Sequence, residues 1–291
     1  MIAIREETPI ETQIVEDEDD QLIAMWIHGR SPHTARSYIR DADRLRRFVA
    51  KPLRAMSLRD LQAFADSLEG EASSRARALA SIKSLFSFGV KLGYLPFNVG
   101  AALQMPKVRD GLADRIIGAE DVQRLLAVTR SSPRDHAIVR LLYASGMRVS
   151  ELIGLRWIDV VSADNGDAFV TVFGKGGKTR TVRISARTRD ALEALRSPNA
   201  IGEDYVFAGQ SVEGHIAAWT AWKIVRNAGR AAGLDREISP HFMRHAHASH
   251  AIDAGAKITV VRDTLGHASV AVTDRYAHAR PGESSGAFLA V

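Results

Sequence analysis

Cysteine is absent from all 291 residues. That excludes disulfides, thiolate zinc sites and cysteine nucleophiles together, so stability has to come from packing alone. Long apolar runs are missing too. Ile138 to Ala144 is among the longest and Arg140 interrupts it, whereas a membrane span needs ~18 or more nearly uncharged residues. The N-terminus lacks a basic segment followed by an apolar one, so no secretory leader is expected and a cytoplasmic location is. No internal repeat is visible, and no low-complexity block beyond an acidic start. What is present is 46% apolar residues, enough to bury real cores over about two domains.

Acidic residues are concentrated at one end. Residues 1–20 hold eight of them against Arg5 alone, a net −7, so the overall +5 leaves +12 on residues 21–291. A basic body suits a polyanion, because each neutralised phosphate releases condensed counterion. Charge alone does not separate a nucleic-acid binder from a merely soluble basic protein.

The patterning divides the chain. Residues 1–16 read as a mobile acidic tail. Residues 17–104 read as four short helices: one over Gln21 to His28, one opened by Ser31 as N-cap with Pro32 behind it, one over Ser57 to Leu68, and one from Ala72 to a stop at Gly93. Arg36, Arg40, Arg44 and Arg47 share one face of the second helix. Periodicity then lapses, and 105–117, with Pro106, Lys107, Arg109, Asp110 and Gly111, reads as a linker. Residues 118–291 read as helices around two strands, Ala168 to Phe173 and Thr179 to Ile184, joined by a glycine-rich turn. The expected fold is mostly α with a small β component: a helical N-terminal unit plus a mixed α/β domain.

Four segments of the larger domain could carry chemistry. Gly174-Lys175-Gly176-Gly177-Lys178-Thr179 suggests a phosphate loop, but Val172 stands where that motif needs glycine, and a strand rather than a helix follows. It is a hairpin turn with Lys175 at its tip. Pro240 opens a helix holding His241, Arg244, His245, His247 and His250; no cysteine and no His-Glu pairing supports a zinc reading. Helical spacing puts His241 and Arg244 on one face near an anion-favouring helix N-terminus. Leu265-Gly266-His267 leads into a helix bearing Arg275, Tyr276 and His278. Ser145-Gly146-Met147-Arg148 is a glycine-broken junction with Glu151 three residues beyond the arginine.

Taken singly, each segment is compatible with packing or a solvated surface. The ordered set Arg148, Lys175, His241-x-x-Arg244, His267 and Tyr276 resembles the tyrosine recombinase (phage integrase) family in identity, order and approximate spacing. The match covers the whole larger domain. It extends into the first, where Thr34, Tyr38, Asp41 and Phe48 sit as in the family's SAM-like core-binding helices.

The resemblance implies a DNA-cleaving enzyme that needs no metal, cofactor or ATP. Tyr276 would attack the scissile phosphate and form a 3′-phosphotyrosyl ester. Arg148 and Arg244 would clamp nonbridging oxygens, since guanidinium forks match phosphate geometry. Lys175 would protonate the 5′-oxygen, His241 would act as acid/base partner of the tyrosine, His267 would donate to a phosphate oxygen, and Glu151 would support them. Double-stranded DNA with a specific site is the implied partner, gripped between the two domains by four protomers, identical or shared with a paralogue, that pass through a Holliday junction. Fewer than 25 residues precede the first core-binding helix, which points to a simple Xer-like recombinase. Only 15 residues follow Tyr276, with Phe288 and Leu289 as the main apolar contacts for a neighbour. Two alternatives stay open: a catalytically silent DNA-binding protein on the same scaffold, and relaxation of the type IB topoisomerase kind.

Overall fold

The computed structural model describes residues 17–108, 111–174, 177–267 and 269–278, with no side-chain detail at 277 and 278. The acidic segment 1–16, Lys175 and the C-terminal stretch from 279 onward lie outside the described residues. The protein is mostly helical and divides into two compact units, Met1–Arg109 and Asp110–Val291. Among the described residues no helix is long and apolar enough to cross a membrane.

The first unit holds α1 (Glu18–Ile27), α2 (Pro32–Val49), α3 (Leu58–Asp66) and α4 (Ala72–Lys91). Their starts follow local chemistry. The Ser31 hydroxyl accepts from the Thr34 amide ahead of Pro32, and Ser57 and Asp60 form a reciprocal capping box. Leu22, Trp26, Leu45, Phe64, Ile82 and Phe86 make the core. Asp41 is buried, which is tolerable because Arg77 donates to both its oxygens (2.7 and 3.0 Å) and Ser81 adds a third bond. On the other face of α2, Arg36, Arg40, Arg44 and Arg47 are all exposed.

In the second unit, α5 (Ala119–Val128), α6 (Pro133–Ser145) and α7 (Val149–Ile153) precede a three-stranded antiparallel sheet, and α8 (Ala186–Glu193), α9 (Ala218–Ala231), α10 (Pro240–Asp253), α11 (Ile258–Leu265) and α12 (Val270–His278) follow it. The strands are β1 (Val160–Ser162), β2 (Ala168–Phe173) and β3 (Thr179–Ile184), in spatial order β1-β2-β3. β2 and β3 have the expected bounds, and Phe173 pairs with Thr179 at the base of the turn. β1 was not expected, because three residues are too few to show alternation. Ala168, Val170, Val172, Val182 and Ile184 turn inward, so period two sets the register. Helix α6 is buried over Ala137, Ile138, Val139, Leu141 and Leu142, and α10 packs on it.

The stretch expected as linker is not all linker. Leu112 is buried with Val261, Leu265 and Tyr276, and Ile117 lies in the main core. Between them a 3-10 turn, Ala113–Arg115, is held by the Arg236 guanidinium, which donates to the carbonyls of Asp114 and Ile116. Two apolar side chains inside a polar run are enough to draw it onto the second unit.

Candidate active site

The ends of helices build the site. Glycine 146 caps α6 in the left-handed conformation (φ 60°), and a Cβ there would lie 2.5 Å from Leu265 Cδ2 and 2.8 Å from the His247 ring. Only glycine fits both the backbone and the space. Helix ends leave carbonyls without intrahelical partners. Arg244, 2% exposed, takes up two of them, donating to Gly146 O (2.5 Å) and Leu265 O (2.7 Å) at the C-termini of α6 and α11. A cation belongs there, since helix C-termini carry partial negative charge. Burial and the neighbouring Arg148 lower its pKa to about 10, leaving it charged at neutral pH.

Arg148 is the N-cap of α7, and its amide donates to Glu151 Oε2 (2.7 Å) while its guanidinium reaches Oε1 (2.9 Å). Glu151 has a second guanidinium: Arg180 of β3 donates to Oε1 (3.0 Å) and Oε2 (2.7 Å), and its Nε to Thr264 O (2.6 Å). Burial would raise the Glu151 carboxyl, but the Arg180 bonds and the Arg148 amide outweigh it and hold the group below its ordinary range. Sequence reasoning missed Arg180. The signal was available: period two places it on the inward face with Val182 and Ile184, where a charge needs a partner.

The α10 histidines divide between two surroundings. His247 Nδ1 lies 2.7 Å from the Tyr143 carbonyl and His250 Nδ1 3.0 Å from the Tyr143 hydroxyl, so both serve the α6–α10 packing. His241 and His245, one turn apart, pack edge to face at 4.8 Å on the other side. Tyr276, 4% exposed, lies with its hydroxyl 2.8 Å from His245 Nδ1. The tyrosine's hydrogen-bond partner is therefore His245, not His241. Among the described residues no group of three or more metal-ligating side chains comes together.

His267 follows the left-handed cap Gly266, bonds Thr273 Oγ1 through Nδ1 (2.8 Å), and lies parallel to the Tyr276 ring at 6.3 Å. A cavity of about 360 Å³ is lined by Arg115, Arg148, His241, Arg244, His267 and Tyr276, with His245 and Arg275. No acidic residue lines it among the described residues. Arg148 and His267 also line a neighbouring cavity of about 580 Å³ at the hairpin base, with Gly174 and Arg180. Lys175, expected at that hairpin's tip, is outside the described residues. Arg115 was not anticipated, because its stretch read as linker.

The electrostatics are those of an anion-binding site. Burial first, then nearby guanidinium groups, lowers His267 to about 4; burial, then His241 and Arg115, lowers His245 to about 4. His241, though its outer edge is exposed, is also lowered, by burial and by Arg244, Arg148 and Arg115. Burial raises the Tyr276 hydroxyl against the pull of Arg244 and Arg275. Neutral imidazoles and a protonated phenol thus stand among the guanidinium groups of Arg115, Arg148, Arg244 and Arg275. An incoming phosphate would relieve the excess positive charge.

Residues 115–283 match the Phage integrase family, and residues 23–93 match the Phage integrase, N-terminal SAM-like domain. The chain is 34% identical over 288 residues to tyrosine recombinase XerC of Mycobacterium tuberculosis (strain ATCC 25177 / H37Ra), covering 91% of this chain and 94% of the relative. Identity to XerC of Corynebacterium efficiens is 36% over 279 residues, covering 91% and 86%. In fold, the chain resembles lambda integrase(75-356), solved as a dimer bound to a COC′ core site, with a TM-score of 0.73 at 20% identity and coverage of 92% and 96%. XerH bound to difH, a pre-cleavage complex, gives a TM-score of 0.72 at 18% identity, covering 94% and 83%.

Proposed function

Because this chain belongs to the phage integrase family of tyrosine recombinases, we propose that Tyr276 cuts and rejoins double-stranded DNA at a specific site through a 3′-phosphotyrosyl ester. The observation that carries the reading is that Tyr276, Arg148, Arg244 and His267 line one cavity free of described carboxylates. Phosphoryl transfer needs an in-line nucleophile, neutralised charge on the equatorial oxygens and a proton for the leaving oxygen. Arg148 and Arg244 supply the fixed positive charge, with His267 and His241 as donors to the same oxygens; Glu151 positions Arg148. Arg115 adds a further guanidinium at the cavity wall. Lys175, which lies between β2 and β3 in the sequence, protonates the 5′-oxygen. The ester keeps the energy of the broken bond, so rejoining needs no nucleotide.

Site specificity and assembly follow the same lineage. The exposed arginines of α2 give the first unit a phosphate-binding face, and four protomers, identical or shared with a paralogue, exchange strands through a Holliday junction. Lambda integrase has been solved as a tetramer bound to such a junction. The kinship to XerC supports an Xer-like role in chromosome dimer resolution or in the integration and excision of a mobile element. The test is a suicide DNA substrate nicked near the cleavage site, with recombination sites recovered by sequencing DNA trapped on the protein. Wild type should accumulate a covalent protein–DNA adduct, and Tyr276→Phe should form none while binding DNA with unchanged affinity. An adduct on the Phe variant would refute the assignment of the nucleophile.

A further inference from the structure

The Tyr276 hydroxyl has one hydrogen-bond partner among the described residues, Nδ1 of His245 at 2.8 Å, a residue 8% exposed. The other ring nitrogen of His245, Nε2, is buried without a hydrogen-bond partner and lies on a ring that packs against His241. Buried imidazole nitrogens are normally satisfied, and an orphan next to a nucleophile calls for an explanation. We propose, resting on the assignment of Tyr276 as nucleophile, that His245 is a further catalytic residue, which orients the Tyr276 hydroxyl and takes its proton as the phosphotyrosyl bond forms.

The step balances. The Tyr276 O–H proton passes to His245 Nδ1, the phenolic oxygen bonds to phosphorus, and the P–O5′ bond breaks with a proton supplied to the 5′-oxygen by the general acid. On rejoining, the 5′-hydroxyl attacks, and His245 returns its proton to the departing phenol. For Nδ1 to accept, the ring hydrogen must sit on Nε2, the nitrogen without a partner.

With the protein's own groups alone around the pair, this transfer is strongly uphill. His245 is depressed to about 4 by burial and by the surrounding His241, Arg115, Arg244 and Arg275, while burial raises the phenol. The pair therefore keeps the tyrosine protonated until phosphate arrives. An anion in the cavity offsets the positive field of those groups, and the phenolic oxygen loses basicity as it bonds to phosphorus, so the proton moves in concert with bond formation.

The test is single-turnover cleavage of the suicide substrate by full-length wild type, His245→Asn and His245→Phe, from low to neutral pH. Asn keeps an acceptor near the Nδ1 position without its basicity. Wild type should show a rate that rises with pH; both variants should bind DNA as wild type does, cleave about 10²-fold more slowly, and lose that rise. A substrate with sulfur in place of the bridging 5′-oxygen needs no general acid, so it should leave the His245 defect intact while rescuing Lys175→Ala. Independently of any variant, long-range ¹H–¹⁵N spectra of wild type should show His245 protonated on Nε2. Rates for His245→Asn within about threefold of wild type, below the range of general-base effects, would overturn the proposal. So would rescue by the sulfur substrate, or a proton on Nδ1. If wild type itself forms no adduct, the recombinase assignment falls, and this inference falls with it.

Discussion

Glu151 and Arg180 meet fork to fork, with two hydrogen bonds of 3.0 and 2.7 Å between residues 29 apart in the chain, and the same carboxylate also holds Arg148 at 2.9 Å. One buried anion thus couples the hairpin strand β3 to the arginine that faces the cavity. Through Arg180 Nε and Thr264 O, the coupling extends to the last turn of α11.

Replacing Glu151 by Gln keeps the shape but leaves Arg180, only 10% exposed in its side chain, without a counter-charge. Loss of one partner from a buried pair costs on the order of 3 kcal/mol, readable as a lower urea midpoint at unchanged slope. The pH dependence has a definite sign. A carboxyl whose folded pKa lies below its ordinary 4.5 contributes stability that is full above that value and is lost as pH falls through the lower folded one. Wild type minus Glu151→Gln should therefore shrink on acidification below about pH 4.5, the unperturbed glutamate range. A constant difference would show that Glu151 is not the titrating group.

Arg148 and Arg244 should separate when each is changed to Ala. Arg148 is 40% exposed in its side chain, so its loss should move the unfolding free energy by about 1 kcal/mol or less, while cleavage falls by about 10²-fold or more. Arg244 bonds two helix-end carbonyls; its removal should cost on the order of 3 kcal/mol in addition to activity. Equal stability losses in the two variants would contradict the division of roles.

Gly146→Ala tests the junction directly. The left-handed backbone and the 2.5 Å approach to Leu265 Cδ2 leave no room for a methyl group unless the Leu265 and His247 side chains shift. The expected cost is about 1–3 kcal/mol, together with slower cleavage, because the Gly146 carbonyl is one of the two that hold Arg244. Calorimetry and adduct kinetics on one preparation would check both.

The α2 face should behave as a phosphate contact. Changing Arg36, Arg40 or Arg44 to Ala should weaken binding to all DNA sequences alike and reduce the slope of log K against log salt by about 1 per residue. A sequence-selective loss would mean that these arginines read bases.

Much of this protein was legible along the chain, wherever the signal is local. Ser31-Pro32 and the Ser57 capping box start helices because side chains satisfy amides within one turn, and inward residues of β2 and β3 repeat at period two. The motif residues of the cavity stand in family order, so Arg148, His241, Arg244, His267 and Tyr276 could be named before any fold was known. Tertiary structure decided which of them touch. That His245 meets the tyrosine hydroxyl depends on how α12 lies against α10. That Arg180 closes on Glu151, and that Leu112 carries Arg115 to the cavity, depends on contacts spanning tens to more than a hundred residues. Such contacts arise from burying apolar surface and then pairing whatever charge is buried with it. Neither process leaves a periodic mark in the residues nearby, which is why Tyr276 could be singled out from the sequence and its partner could not.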